Sequence, residues 1–234
     1  MRRLEELGRT VRNLRLVTDL LRSMGDNTEN VFDIEDNMRD SPAMAACAER
    51  VRAIPEARML MEARYLGPEV DLAALLQLPP HSLGRTYAEV LNALGFDPNF
   101  YRRREIASDS DWVTMRLRKC HDIIHVVSGF GPTGGELGVL SIQAVQIGYP
   151  MSVMLQTAAL GLALRQKPEQ LPQLTDQMAR GMAIGREAAP FIAQRWEEGW
   201  ERPLAEWRAS LGITNPVISE PYSLKNRLPG LAFA

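Results

Sequence analysis

Two of the three histidines in the 234-residue chain fall in the run His121-Asp122-Ile123-Ile124-His125; the third is His81. Residues four apart share one face of a helix. Two imidazoles so placed can converge on one divalent ion. Asp122 sits one residue round the helix, as a third ligand or as an acceptor that orients a His ring. Arg118 lies on the same flank, where it pairs with Asp122 or faces an anionic ligand. The segment Gly129-Phe130-Gly131-Pro132-Thr133-Gly134-Gly135-Glu136 follows. Its glycines and proline predict a tight turn that brings Glu136 back beside the histidines. His121, His125, Asp122 and Glu136 make a mixed nitrogen and oxygen donor set, suited to zinc, ferrous iron or manganese. Glu136 also has a purely structural reading. Thr133-Gly134-Gly135-Glu136 has the form of a capping box, with Thr133 as N-cap. The glycines then make an ordinary turn between helices, or a phosphate cradle at a helix start. No Gly-Lys-Ser/Thr follows, so the turn is not a P-loop.

A second metal chemistry competes. His81, His121-Asp122 and Asp176 follow the ligand order of the all-helical, metal-dependent HD phosphohydrolases. Against it, His81 follows Pro79-Pro80 in a predicted loop, and Asp176 sits on a polar helix face. Nucleophilic catalysis finds little support. There is no G-x-S-x-G elbow, and Cys120 points to a different helix face from its neighbour His121. The only other cysteine, Cys47, forms no C-x-x-C pair with it, so free thiols are expected.

The elements that must position these residues read as helices almost throughout. Apolar periodicity predicts helices over 1–24, Ser41–Ile54, Pro55–Leu66, Val70–Leu78, Arg85–Leu94, Asp109–Ser128, Thr133–Gly148, Pro150–Gln166, Glu169–Gly185, Pro190–Gly199 and Pro203–Leu211. Ser108 or Asp109 caps the helix that carries the histidines. Residues 109–148 thus form a helix–turn–helix around the motif, and 215–234, with three prolines, is expected to be an extended tail. No alternating strand pattern or repeat occurs. The expected fold is all-α, a single-domain bundle of about eight to ten helices over residues 1–234.

Composition sets the partners. Twenty-seven Lys and Arg against 29 Asp and Glu give a net charge of −2, which argues against a nucleic-acid binder. The first 24 residues carry six Arg against three acids, a local +3 on an amphipathic pattern that can lie on an anionic membrane surface. No apolar run approaches the length of a membrane span, and no secretory signal is expected. Residues 140–164 are richly apolar, with Met151 and Met154 among them, and form two apolar helices that make an ordinary helical core or leave a groove between them.

His121-Asp122-x-x-His125, then a Gly-rich turn and Gly135-Glu136 opening a helix, resembles the H-D-x-x-H…E hallmark of the ubiquinone (coenzyme Q) biosynthesis protein 4 family. Leu78-Pro79-Pro80-His81-Ser82-Leu83-Gly84-Arg85-Thr86-Tyr87 is similar to its upstream L-P-x-x-S-L-G-x-x-Y stretch. Arg116-x-Arg118 matches its R-x-R, and the Trp- and Glu-rich C-terminal helix is also similar. Ten residues separate His125 from Glu136, one fewer than in the family, and Lys119 stands where an acid is expected. The resemblance implies a divergent bacterial member with a divalent metal, zinc by preference, on His121, Asp122, His125 and Glu136. It implies work on a prenylated aromatic quinone precursor, as a metal-dependent lyase or oxidative decarboxylase and hydroxylase at ring carbon C1. The alternative is a non-catalytic scaffold that presents the isoprenoid lipid. It further implies other ubiquinone-biosynthesis proteins as partners and a homodimer. The expected location is peripheral, on the cytoplasmic side of the bacterial inner membrane, or on the matrix side of the mitochondrial one in a eukaryote.

Overall fold

In the computed structural model, the described residues are 29–131, 135–214 and 216–217, with Gly8, Val11, Arg12 and Arg15. Most of the expected N-terminal helix and the tail from 218 onward lie outside the described residues. Ten α-helices run through residues 29–217, with three single 3-10 turns and no strand among the described residues. They are α1 Glu29–Met38, α2 Pro42–Arg52, α3 Pro55–Glu62, α4 Leu72–Leu75, α5 Leu83–Leu94, α6 Asp109–Ser128, α7 Glu136–Ile147, α8 Pro150–Gln166, α9 Leu171–Glu187 and α10 Leu204–Leu211. The expected all-α class is the fold observed.

α6 is the axis of the molecule. Ser108 caps it by accepting the Asp111 N–H, and the Asp111 carboxylate accepts the Ser108 N–H in return. Gly129, at φ 81°, ends it in the left-handed region that a side chain disfavours. Trp112, Val113 and Leu117 on its first half pack into one apolar cluster with α2, α3 and Ile34 of α1. Cys120, Ile123, Ile124, Val126 and Val127 on its second half pack into another, with Tyr87, Phe191, Trp196 and Trp207. From Asp111 to Ser128, only Arg118, His121 and Asp122 escape full burial. Both cysteines are free and buried.

α7, α8 and α9 form a layer beside this axis. α7 and α9 run parallel in close contact, Gly181 lying against Gly138 and Ser141. α8 returns between their ends. It turns Ser152 and Gln156 inward, bonded to Gln143 and Ser141 at 2.7 and 3.2 Å. Val153 and Leu164 face outward, 51% and 68% exposed.

Three expectations fail for reasons that lie in tertiary contacts. α1 has no counterpart among the expected helices. Its sequence is mostly acidic and amide, and its partners are distant arginines: Asp33 pairs with Arg102 at 2.8 Å and Glu35 with Arg118 at 2.6 Å. Pro190–Gly199 is not a helix but two single turns, Phe191–Ala193 and Trp196–Glu198. Gln194 between them is extended, and its carbonyl accepts from the buried Arg116. α4 is shorter than Val70–Leu78, because the backbone of Val70 is bonded on both sides by the Asn99 amide.

Candidate metal centre

The polar stripe of α6 is Arg118, His121 and His125, spaced three and four residues apart along one face, with Asp122 one residue round from His121. His125 is the buried member, its side chain 2% exposed. Its Nδ1 lies 3.2 Å from the Phe130 carbonyl. With Nδ1–H donated there, Nε2 presents its lone pair to the site. His121 stands one turn earlier, its side chain 31% exposed.

The turn after α6 supplies the carboxylate. Gly135 N–H donates to the Gly131 carbonyl at 3.0 Å and closes the loop. The Phe130 ring lies directly over Gly138, where a Cβ would overlap it. That contact holds the first turn of α7 against the end of α6. Glu136 is the first residue of α7, and its N-cap is Gly135, with no side-chain cap. The capping-box reading therefore fails for Glu136: its carboxylate is turned to the histidines, and Thr133 lies outside the described residues. Glu136 Oε2 sits 3.1 Å from His125 Nε2 and 3.3 Å from His121 Nε2, and the two Nε2 atoms are 3.3 Å apart.

Three donor atoms thus form a nearly equilateral triangle. Ligands at about 2.0–2.1 Å in tetrahedral array stand about 3.3–3.4 Å from one another. The observed edges of 3.1–3.3 Å match one face of such a tetrahedron. The donor set therefore fits a small divalent ion of the zinc class and leaves a fourth position open. It does not suit calcium, which takes six to eight oxygens. Among the described residues, His121, His125 and Glu136 are the group able to hold a metal.

Without an ion the same groups pair electrostatically. Burial alone would lower the His121 pKa, but the Glu136 carboxylate overrides it and raises His121 to about 9, with Asp122 and Glu35 adding to the rise. Burial would push Glu136 up, yet the two histidines hold it well below the ordinary carboxylate range.

The other expected site residues fall elsewhere. Asp122 is half-buried and outside the donor group. Its charge acts on His121 and, from the other side, on Tyr87. Arg118 does not pair with Asp122; its Nε donates to Glu35 at 2.6 Å. Lys119 is buried and donates to the carbonyls of Gly67 and Pro68. Cys120 has no free thiolate to offer, since burial pushes it up to about 12. His81 is an exposed loop residue at φ 65°, whose carbonyl accepts the Leu204 N–H. Asp176 is exposed and pairs with Arg180 at 2.9 Å. The His81, His121-Asp122, Asp176 set of a phosphohydrolase is not assembled. Glu35 and Tyr149, which meet at 2.7 Å beside Arg118, were not legible as neighbours of the motif. No local signal joins residues 114 positions apart.

An all-helical fold built around one buried axis, with two histidines and a carboxylate converging at its rim, defines a helical protein with a metal-competent centre. The sequence profile described as coenzyme Q (ubiquinone) biosynthesis protein Coq4 matches residues 31–217, and the chain belongs to that family. It is 30% identical over 184 residues to the mitochondrial ubiquinone biosynthesis protein COQ4 homolog 1 of Culex quinquefasciatus, covering 76% of this chain and 65% of that protein. It is 31% identical over 178 residues to the mitochondrial COQ4 homolog of Rattus norvegicus, covering 72% and 64%. The chain thus spans a little under two thirds of the length of these curated relatives. Among solved structures, it resembles a candidate ubiquinone biosynthesis protein from Nostoc punctiforme. The TM-score is 0.78 at 29% identity, over 87% of this chain and 97% of that one. No helix among the described residues is long and apolar enough to cross a membrane.

Proposed function

We propose that this chain binds a divalent metal, zinc by preference, on His121, His125 and Glu136, and acts on prenylated benzoate precursors of ubiquinone. The observation that carries the reading is the triangle of donor atoms with 3.1–3.3 Å edges, open on one side. A bound divalent ion with an open position would polarise a substrate carboxylate or phenolate. The chain's own residues set the terms. Phe130 fixes the His125 tautomer, and Glu136 offsets the ion's charge. Asp122 and Glu35 add negative field on the His121 side. The oxidative version of the chemistry replaces a ring carboxylate by hydroxyl at C1, releases CO₂ and requires an external oxidant. Zinc carries no electrons, so that version calls for iron or manganese in the site or a separate oxidant. The scaffold version uses the same residues to hold the lipid without turnover.

The long tail fits the outer layer. α8 turns Ser152 and Gln156 inside and presents Val153 and Leu164 outward. Such an arrangement suits contact with an isoprenoid chain or the membrane that supplies it. We place the protein peripherally on the membrane that holds its substrate, in company with other enzymes of the pathway and as a homodimer.

The test is to profile quinone intermediates in a deletion strain and to incubate the purified protein with a prenylated hydroxybenzoate, dioxygen and a reductant. Accumulation of a carboxylated intermediate in the strain, with CO₂ release in vitro, is expected for the enzyme. Accumulation in the strain with tight binding and no product supports the scaffold. An unchanged quinone profile contradicts both.

A further inference from the structure

Arg118 is 5% exposed and lies on the same helix face as the donor triangle, one turn before His121. Its hydrogen bonds are unevenly spent. Nη1 donates to the Arg102 carbonyl at 2.6 Å. Nε donates to Glu35 Oε2 at 2.6 Å. Nη2 is buried and makes no hydrogen bond; Asp36 Oδ1 stands 3.7 Å from it.

The Nε/Nη2 edge of a guanidinium is the edge that takes a carboxylate in two parallel bonds. Here Glu35 uses only half of it. Its second oxygen is drawn away by the Tyr149 hydroxyl at 2.7 Å. Glu35 and Asp36 both belong to α1, and so does Phe32, whose ring lies under the guanidinium at 4.6 Å. These three contacts on that side of the fork come from one ten-residue helix. α1 is anchored by the buried Ile34, and around the fork it is tied by ion pairs, Asp33 and Asp36 with Arg102 at 2.8 and 3.1 Å and Asp36 with Arg104. Such pairs exchange partners more readily than buried apolar surface does.

We propose that Arg118 is the carboxylate-binding residue of the site, and that Glu35 on α1 occupies its fork in the resting protein until an aromatic carboxylate displaces it. This rests on the reading of the substrate as a prenylated benzoate. A carboxylate on the Nε/Nη2 edge gains the second bond that Glu35 does not make. Its ring then lies within about one helical turn, roughly 5 Å, of the donor triangle. The displaced Glu35 and the Tyr149 hydroxyl remain paired to each other.

The experiment compares 3-geranyl-4-hydroxybenzoate with 2-geranylphenol, which lacks only the carboxylate. Binding of both to the purified full chain is measured by calorimetry, together with hydrogen exchange over residues 29–38. Two variants are used. Glu35→Gln keeps the side-chain shape, and the neutral pair Glu35→Gln with Arg118→Gln leaves no unpaired buried charge. The acid is expected to speed exchange over 29–38 in the wild type, and the phenol is not. Glu35→Gln should bind the acid about tenfold more tightly, the worth of one charge-assisted hydrogen bond, with phenol binding unchanged. The neutral pair should lose the preference for the acid. An acid-to-phenol ratio that is the same in all three proteins would overturn the proposal. So would unchanged or slower exchange over 29–38 with the acid, a result that stands even if a variant does not fold. Wild-type protein that binds neither compound would overturn the proposed function itself.

Discussion

Glu136 is the residue on which the site turns. Three donor atoms meet only because its carboxylate faces back toward α6, and in the metal-free protein it is also the counter-charge for His121. The sign of that coupling is testable. His121 has a folded-state pKa near 9, above the ordinary value of about 6.5 in an unfolded chain. Its pairing therefore contributes stability fully below about pH 6.5 and loses it as pH rises through 9. Urea midpoints of chelator-treated protein should fall across that window, and Glu136→Gln should flatten the fall. A variant that keeps the wild-type slope would exclude the pair as its source. At this scale much was legible. The i, i+4 histidines and the returning glutamate follow from spacing, because helix periodicity is local. The partner of Arg118 was not, because Glu35 lies 83 residues away and nothing in either neighbourhood names the other.

The helices explain which boundaries the sequence announces. α6 begins and ends where expected because its capping box and its terminating glycine are written within a few residues of the ends. α7 starts three residues later than expected, at Glu136 rather than Thr133, because the packing of Phe130 on Gly138 sets its first turn. That contact makes an element-level prediction. Gly138→Ala inserts a methyl group into the Phe130 ring and should cost about 1–3 kcal/mol, as overpacking does. It should also weaken metal retention by moving Glu136, while Phe130→Leu in the same chain restores part of both. Thermal melts and metal content of the two variants decide this. Metal content equal to wild type in Gly138→Ala would show that the turn does not position the carboxylate. α1 was missed at this same scale, since acids and amides outnumber its apolar residues and its ion-pair partners are arginines from elsewhere in the chain.

In the whole molecule, two apolar clusters share α6, and a buried ion pair ties the C-terminal region to it. The Arg116 and Glu197 side chains are both 0% exposed and meet at 2.6 Å; Nη1 and Nη2 also donate to the Leu66 and Gln194 carbonyls, and Nε is left without a partner. Removing one partner strands the other in the core. Arg116→Met should therefore cost roughly 3–5 kcal/mol in denaturant unfolding, and the double change with Glu197→Leu should recover most of it. Equal losses in the single and double variants would contradict a pairing role. The all-helical class was plain from periodicity. The broken segment 190–199 was not, because its backbone bends to serve Arg116 rather than its own helix propensity. The donor triangle lies at the rim of α6, beside Arg118, His121 and Asp122, where the axis helix is partly open to solvent. The most direct test of the account is metal content by mass spectrometry of the purified protein, alongside His125→Ala and Glu136→Gln. The account predicts close to one divalent ion per wild-type chain and a loss of most of it in each variant, with helical content unchanged. Equal metal content in all three proteins would contradict it.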